Sequence, residues 1–398
     1  MHAISYLLCE LKSRDLDSRA LIAAYLLKAG ISVVVGQRWA IGSNRYNSPK
    51  GCYLFPTANQ IQGGGMMQVR DAGHKVIASD EEALPLVDSL VNVAPNSVEA
   101  CHKFVVDSDA HARLLSSQYS NFADKFIVTG SPRIETLRGS KFEPQNETPY
   151  LLFNTGFAIV NSIWGNLRTA ITTLLNGADL SEEEVLFRIK VENSSLECMR
   201  ALITQLAPDH RIVIRPHPAE QAQSWRDSFP EAEVVEGSSS LSWILGAKAV
   251  FHANSTTGLE AAVANVPTIN LDLDSTWGDR FTMKQVNHTV QSAEGAAKLL
   301  QSLLNGTLPP PDRTLVESLF PPDGAQNTAK AIMHMIDRAP PISGEFKWQQ
   351  IERTDIQRTK FTVSLQDLKN SLKFAESICG PIVCKIHQLD DSVFLLTP

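Results

Sequence analysis

The feature that most constrains this chain is a repeated pairing of short apolar runs with helix-length segments. ISYLLCE (4–10) leads into SRALIAAYLLKAG (18–30), whose apolar spacing suits a helix ending at Gly30, and ISVVVG (31–36) follows at once. A β-branched run of four to six residues is too short for a buried helix and fits a parallel strand covered on both faces. HKVIASDEEA (74–83) predicts a strand with acids at its C-terminal end. SVEACHKFVVDSDAHARLLSS (97–117) predicts helix, strand and helix, and DKFIVTGSPR (124–133) a strand and turn. Alternation of this kind implies a doubly wound parallel sheet.

The rhythm pauses at GSKFEPQNETP (139–149), polar and proline-containing, and then restarts. YLLFNTGF, HRIVIRPHP, AEVVEG, KAVFHANS and PTINLDLD predict strands; the stretches DLSEEEVLFRIKVENSSLECMRALITQLAP (179–208) and TTGLEAAVANV (256–266) predict helices. A chain of 398 residues accommodates two or three domains at roughly 150 residues each. The expected fold is therefore α/β, two Rossmann-like doubly wound domains facing a cleft. The expected division is residues 1–140 as an N-terminal acceptor-side domain and 150–345 as a C-terminal nucleotide-donor domain. Residues 346–398 then form a helical extension whose amphipathic stretch VSLQDLKNSLKFAESI packs back on the first domain.

Charge narrows the function classes. Lys and Arg number 36 against 43 Asp and Glu, a net of −7, which argues against a nucleic-acid partner. The six cysteines form no CxxC pair, so reduced thiols in a cytoplasmic setting are expected. No run approaches the roughly 18 apolar residues of a spanning helix, and the N-terminus lacks the basic region of a signal peptide. Peripheral association at the inner face of the cytoplasmic membrane stays open.

Four clusters carry chemistry. Arg215-Pro216-His217-Pro218 follows an apolar strand, where an open α/β sheet binds ligands; the prolines stiffen a loop presenting a guanidinium and an imidazole. A rigid surface turn is the alternative. One βα unit later, Asn254, Ser255, Thr256, Thr257 and Gly258 open a helix carrying Glu260, a pattern suited to a phosphate or to an ordinary N-cap. Asp80, Glu81 and Glu82 stand at a strand end, as a base for an acceptor hydroxyl or as a solvated helix start. Lys12, Arg14 and Arg19, oriented by Glu10 and Asp17, either bind a carboxylate or phosphate of the substrate or form a mutually paired surface network. Asn154 lines the site or caps a turn. No HxxxH or HExxH pair occurs, and neither metal nor cofactor is expected.

RPHP followed by strand–NSTTGLEAA–strand resembles the second domain of GT-B enzymes that handle cytidine nucleotides: bacterial sialyltransferases, Kdo transferases and teichoic acid glycerol-phosphate polymerases. Asp80-Glu81-Glu82, His217-Pro218 and Ser255-Thr256 match, in order, three short sialyltransferase motifs, with Ala83 where glycine is expected. ELKSRDLDSRALIAAYLLKAGISVVVG, GHKVIASDEEAL, VTGSPRIETL and LLFNTGF are similar to bacterial surface carbohydrate biosynthesis proteins.

The resemblance implies transfer of a Kdo- or sialate-like sugar acid from a CMP-sugar donor to a glycan or lipid-linked glycan, alone or beside other glycosyltransferase modules. His217, Arg215 and Ser255–Thr257 would hold the phosphate, Glu260 would contact the ribose or serve helix packing, and Lys12, Arg14 and Arg19 would hold the sugar carboxylate. One acid of Asp80–Glu82 would act as base or, in a retaining enzyme, as nucleophile. A CDP-polyol, UDP- or GDP-sugar donor, a two-Rossmann epimerase, and a non-catalytic nucleotide-binding subunit are the alternatives.

Overall fold

The computed structural model describes residues 3–81, 93–139, 148–163, 165–169, 171–172, 181–236, 240–278, 283–307, 313–336, 347–352, 354 and 362–398. The chain divides into two compact units. One takes in Met1–Leu84, Ser89–Ser140 and Glu317–Pro398; the other is built chiefly from Lys141–Val316. Most of the expected linker, 140–147, lies outside the described residues.

In the first unit six parallel strands run β1 (Ile4–Cys9), β2 (Ser32–Gln37), β3 (Cys52–Phe55), β4 (Lys75–Ala78), β5 (Lys103–Val106) and β6 (Phe126–Val128). Their spatial order is β2-β1-β3-β4-β5-β6. β1 is buried throughout because the pleat sends alternate side chains to opposite cores. Leu7 and Cys9 join the helix Lys12–Lys28 on one face, while Ile4, Tyr6 and Leu8 join Tyr53 and Phe104 on the other.

The second unit has β7 (Tyr150–Asn154), β8 (Ile212–Arg215), β9 (Glu233–Val234), β10 (Ala247–His252), β11 (Thr268–Leu271) and β12 (His288–Val290), all parallel. Their order is β12-β11-β10-β7-β8-β9. Counted within the unit this is 3-2-1-4-5-6, the doubly wound order whose direction reverses between the first and fourth strands. The long helix Glu182–Leu206 starts with a capping box from Ser181 and Glu184 and buries Met199, Leu202 and Ile203 on this sheet.

Two expectations need correction. The second unit closes near Val316 rather than at 345, because the helix Gly324–Ile336 buries Ala325, Ala329 and Ile332 in the first unit's core. The C-terminal extension is not wholly helical. Its amphipathic helix, Leu365–Cys379, packs on Lys12–Lys28 as expected, through Leu368, Leu372 and Ala375. It is followed by the hairpin β13 (Lys385–Asp390) and β14 (Val393–Thr397), and β14 pairs antiparallel with β2. Among the described residues no helix is long and apolar enough to cross a membrane.

Candidate phosphate site and acidic recess

In a doubly wound sheet, ligands bind at the carboxyl ends of the strands where the winding reverses. In the second unit that point falls between β7 and β10. Asn154 ends β7, paired with Arg215 of β8 on one side, while Phe153 pairs with Phe251 of β10 on the other. Asn154 is 1% exposed, and neither its side-chain nitrogen nor its oxygen has a hydrogen-bond partner. Each such buried group costs about 1–3 kcal/mol, which makes this amide a candidate for a ligand contact.

The RPHP loop beside it is held by a residue the sequence reading missed. Glu220 is buried and accepts four hydrogen bonds: from Thr155 Oγ1 at 2.7 Å, the His217 backbone N–H at 3.0 Å, Trp225 Nε1 at 3.1 Å and Asn161 Nδ2 at 3.2 Å. It fixes the loop after β7 and the loop after β8 together. His217 and Pro218 are exposed and Arg215 is half-buried. The Ala219 N–H donates to His217 Nδ1 at 3.1 Å, so the neutral ring carries its proton on Nε2.

The turn after β10 is built on a second unflagged residue, His252. Its ring is fully buried, with Nε2 3.0 Å from Asn287 Oδ1 and Nδ1 accepting from the Ser255 N–H at 3.2 Å. Burial pushes this imidazole down to about 4, so it stays neutral. A Cβ on Gly258 would sit 2.3 Å from His252 Nε2, so glycine is needed for close packing rather than for anion contact.

Asn254 adopts φ 49° and its amide is engaged internally, donating to Asp272 Oδ1 and accepting from Asn270 Nδ2. Thr257 turns its hydroxyl to Ser255 Oγ at 3.0 Å. Glu260 is buried and accepts from Ser240 Oγ at 2.8 Å. Ser255 and Thr256 are half-buried at the mouth of the turn. Of the sequence-selected residues here, Asn154, Ser255 and Thr256 and the loop bearing Arg215 and His217 come together, whereas Asn254, Thr257 and Gly258 shape the turn.

The first unit carries a separate feature, a narrow recess of about 10 Å³ at the strand ends, room for one water-sized group. Ser79, Asp80, Glu81, Asp107, Thr129, Gly130 and Thr328 line it with Leu54, Val105 and Pro132. Asp80 and Glu81 are each 4% exposed, so these acids are not a solvated helix start. Glu82 lies outside the described residues. Asp107, at the end of β5, is the acid that sequence reading passed over; its only signal was a DSD triplet of a common kind. Burial, then Glu81 and Asp80 nearby, raise its carboxyl well above the usual range, although Ser131 hydrogen-bonds to it. His111 Nδ1 stands 3.9 Å from Asp107 Oδ2. Burial pushes that ring down to about 4, so this contact is not an ion pair at neutral pH.

The expected carboxylate clamp takes a different form. Arg19 is fully buried, with Nε donating to the Leu8 carbonyl at 3.1 Å and Nη1 paired with Glu81 at 2.6 Å. Arg14 pairs with Asp15 and approaches Glu10, and Lys12 pairs with Asp367 at 2.8 Å. Asp15 in turn accepts from the Glu10 and Leu11 N–H groups, closing the start of the Lys12–Lys28 helix. The dense charge between β1 and its helix is thus internally paired, and Arg19 serves to hold Glu81. Among the described residues no group of three His, Cys, Asp or Glu is arranged to hold a metal ion.

No protein-family model matches the chain, and no curated protein matches it by sequence. Solved structures do match in fold. The UDP-GlcNAc 2-epimerase of Methanocaldococcus jannaschii aligns with a TM-score of 0.54 at 13% identity, covering 84% of this chain and 100% of the other. The wall teichoic acid polymerase TagF aligns with a TM-score of 0.52 at 12% identity, covering 84% of this chain and 89% of the other. At such identities the likeness is one of architecture, and it places this chain among proteins with the two-Rossmann-domain GT-B fold.

Proposed function

We propose that the protein is a transferase of surface glycan assembly that takes a sugar or polyol unit from a nucleotide-linked donor, with the second unit holding the donor phosphate. The observation that carries this reading is the buried, partnerless amide of Asn154 at the switch point, flanked by the His217 loop and the Ser255–Thr256 turn. An amide, an imidazole N–H and hydroxyls are hydrogen-bond donors suited to one phosphate group. With a sugar donor the acceptor hydroxyl oxygen bonds to the anomeric carbon and the bond from that carbon to the phosphate oxygen breaks; with a CDP-polyol it bonds to the phosphorus bearing the polyol, and the bond from that phosphorus to the bridging oxygen breaks, so that polyol phosphate is transferred and CMP leaves. The nucleotide leaves with the electron pair, and the hydroxyl proton passes to a carboxylate, Asp80 or Glu81. The fold neighbours, a UDP-GlcNAc 2-epimerase and a wall teichoic acid polymerase, support a nucleotide-linked substrate in general.

Within this reading the donor proposed from the RPHP and NSTTG motifs is a CMP-linked sugar acid, Kdo- or sialate-like. A second reading, a donor without a carboxylate such as a CDP-polyol, is favoured by the pairing of Lys12, Arg14 and Arg19 with the protein's own acids. Calorimetric titration with CMP, CDP, UDP and GDP on wild type and His217→Ala tests the site. Preference for a cytidine nucleotide, lost in the variant, is expected, followed by turnover with CMP-Kdo, CMP-sialate or CDP-glycerol. Binding that prefers UDP or GDP sinks the cytidine reading, and nucleotide binding without any turnover makes the chain a binding subunit.

A further inference from the structure

The segment that follows β7 in the second unit is held by two acids from different elements. Glu220, on the loop after β8, binds Thr155 Oγ1 and Asn161 Nδ2. Glu192, on the long helix Glu182–Leu206, takes the turn between them: its Oε2 accepts the Ile159 N–H at 3.0 Å and the Val160 N–H at 3.4 Å. The two carboxyl groups are not held alike. Glu220 accepts four hydrogen bonds spread over both oxygens, whereas Glu192 accepts two, both on one oxygen. Two bonds do not offset its desolvation. Burial pushes the Glu192 carboxyl up to about 7, against the pull of the two N–H groups; nearby Glu220 adds to the rise, and Arg188, one turn back on the same helix, opposes it. Of the elements packed on this helix, β11 carries no charged residue, and on Ala293–Leu304 Glu294 and Lys298 pair with each other at 2.6 Å.

We propose, resting on the donor-site reading, that Glu192 is a positioning residue for the nucleotide, a carboxylate that fixes the loop after β7 and through it the Asn154 amide, so that nucleotide binding follows the charge of this one group. Asn154 directly precedes Thr155, where the held segment begins. A carboxylate accepts N–H groups more strongly than a neutral acid does, so ionisation tightens the turn at Ile159 and Val160. Keeping the group ionised costs stability. Its carboxyl titrates higher in the folded chain than its ordinary 4.5, so its contribution is full below 4.5 and is lost as pH rises through about 7. At about pH 8 a neutral amide in its place, Glu192→Gln, is therefore no less stable than the carboxylate. Binding and stability then move apart in this variant, whereas for a group that only supports the fold they fall together.

The test follows the Ile159 and Val160 amide resonances of the full chain by NMR between about pH 5.5 and pH 8.5, on wild type and Glu192→Gln. CMP methyl ester, a phosphodiester whose charge is constant over this interval, is titrated into both proteins at about pH 6 and pH 8. In wild type both amides should shift with a common midpoint near 7, and in the variant they should not. The ester should bind wild type about fivefold more tightly at the higher pH, and the variant at the weaker value throughout. The variant's melting temperature at the higher pH should be no lower than that of wild type. Every other titrating group is common to the two proteins, so their difference isolates Glu192. Amides that do not titrate near 7, or that titrate equally in the variant, overturn the proposal. So does tighter binding at low pH, the direction that like-charge repulsion between Glu192 and the phosphate gives. A variant that loses stability together with binding shows a structural acid. Failure of the ester to bind at any pH sinks the donor reading and this inference with it, whereas binding with the same pH dependence in both proteins overturns this inference alone.

Discussion

At the scale of single residues, the chemistry separates groups that build a loop from groups left for a ligand. His217 and Ser255 were legible in the sequence because proline stiffening and hydroxyl clustering are local patterns. Glu220 and His252 were not, because the partners that reveal them come from other segments: Thr155, Asn161 and Trp225 for the one, Asn287 for the other. Asn154 gives a sharp prediction. Replacing its partnerless buried amide with leucine of similar volume should stabilise the fold by about 1–3 kcal/mol. On the proposed reading the same change should weaken nucleotide binding at least about tenfold, because it removes the amide assigned to the donor. Denaturant unfolding and calorimetry on Asn154→Leu check both halves; a variant that loses stability as well as binding shows an ordinary structural amide.

His252 yields a pH dependence. Its ring is ordinarily protonated below 6.5, but burial pushes it down to about 4 in the folded chain. The unfolded state therefore takes up a proton that the folded state refuses, so stability is full above pH 6.5 and falls as pH drops toward 4. The loss approaches about 3 kcal/mol at the low end. His74 and His111, also held near 4 by burial, act in the same direction in the first unit. His252→Gln should flatten the slope between pH 7 and 5 for the transition followed through Trp225, which is buried in the same unit. An unchanged slope would show that the ring titrates normally.

Secondary structure was largely legible because each element's pattern is carried within its own residues. β1 and β7 read as strands from short apolar runs, and 179–208 reads as helical, which contains the observed helix Glu182–Leu206. The C-terminal hairpin was missed because KIHQLD alternates weakly, and half of it is exposed on the outer edge of the sheet. What makes β14 a strand is its partner β2, far away in sequence. The helix Leu365–Cys379 closes the same region, with Leu368 fully buried against Lys12–Lys28. Leu368→Ala should cost about 2–5 kcal/mol, measured by denaturant unfolding of the first unit. A cost under 1 kcal/mol would mean the helix only rests on the surface.

At the scale of the whole molecule, the two sheets were foreseen, while the path of the chain between them was misjudged by one crossing. Polar linkers mark the outward boundary locally. The return near Glu317 has no such mark, because Gly324–Ile336 is an amphipathic helix that either sheet could bury; only the complementary face formed by Leu21, Leu7 and Ile22 selects the first unit. The consequence is an asymmetry in independence. The second unit is built chiefly from one stretch, Lys141 to Val316, with its own cores around Phe153 and Val250. The first needs both ends of the chain, since β14 borders β2 and two late helices cover the Lys12–Lys28 helix. Domains with a complete core can fold alone. A fragment spanning 148–316 should therefore unfold in a single cooperative transition and bind CMP within about threefold of the full chain, whereas residues 1–140 alone should lack cooperative unfolding. If the 148–316 fragment folds but loses CMP, then residues outside that unit hold part of the nucleotide, and the phosphate site around Asn154 is incomplete as described.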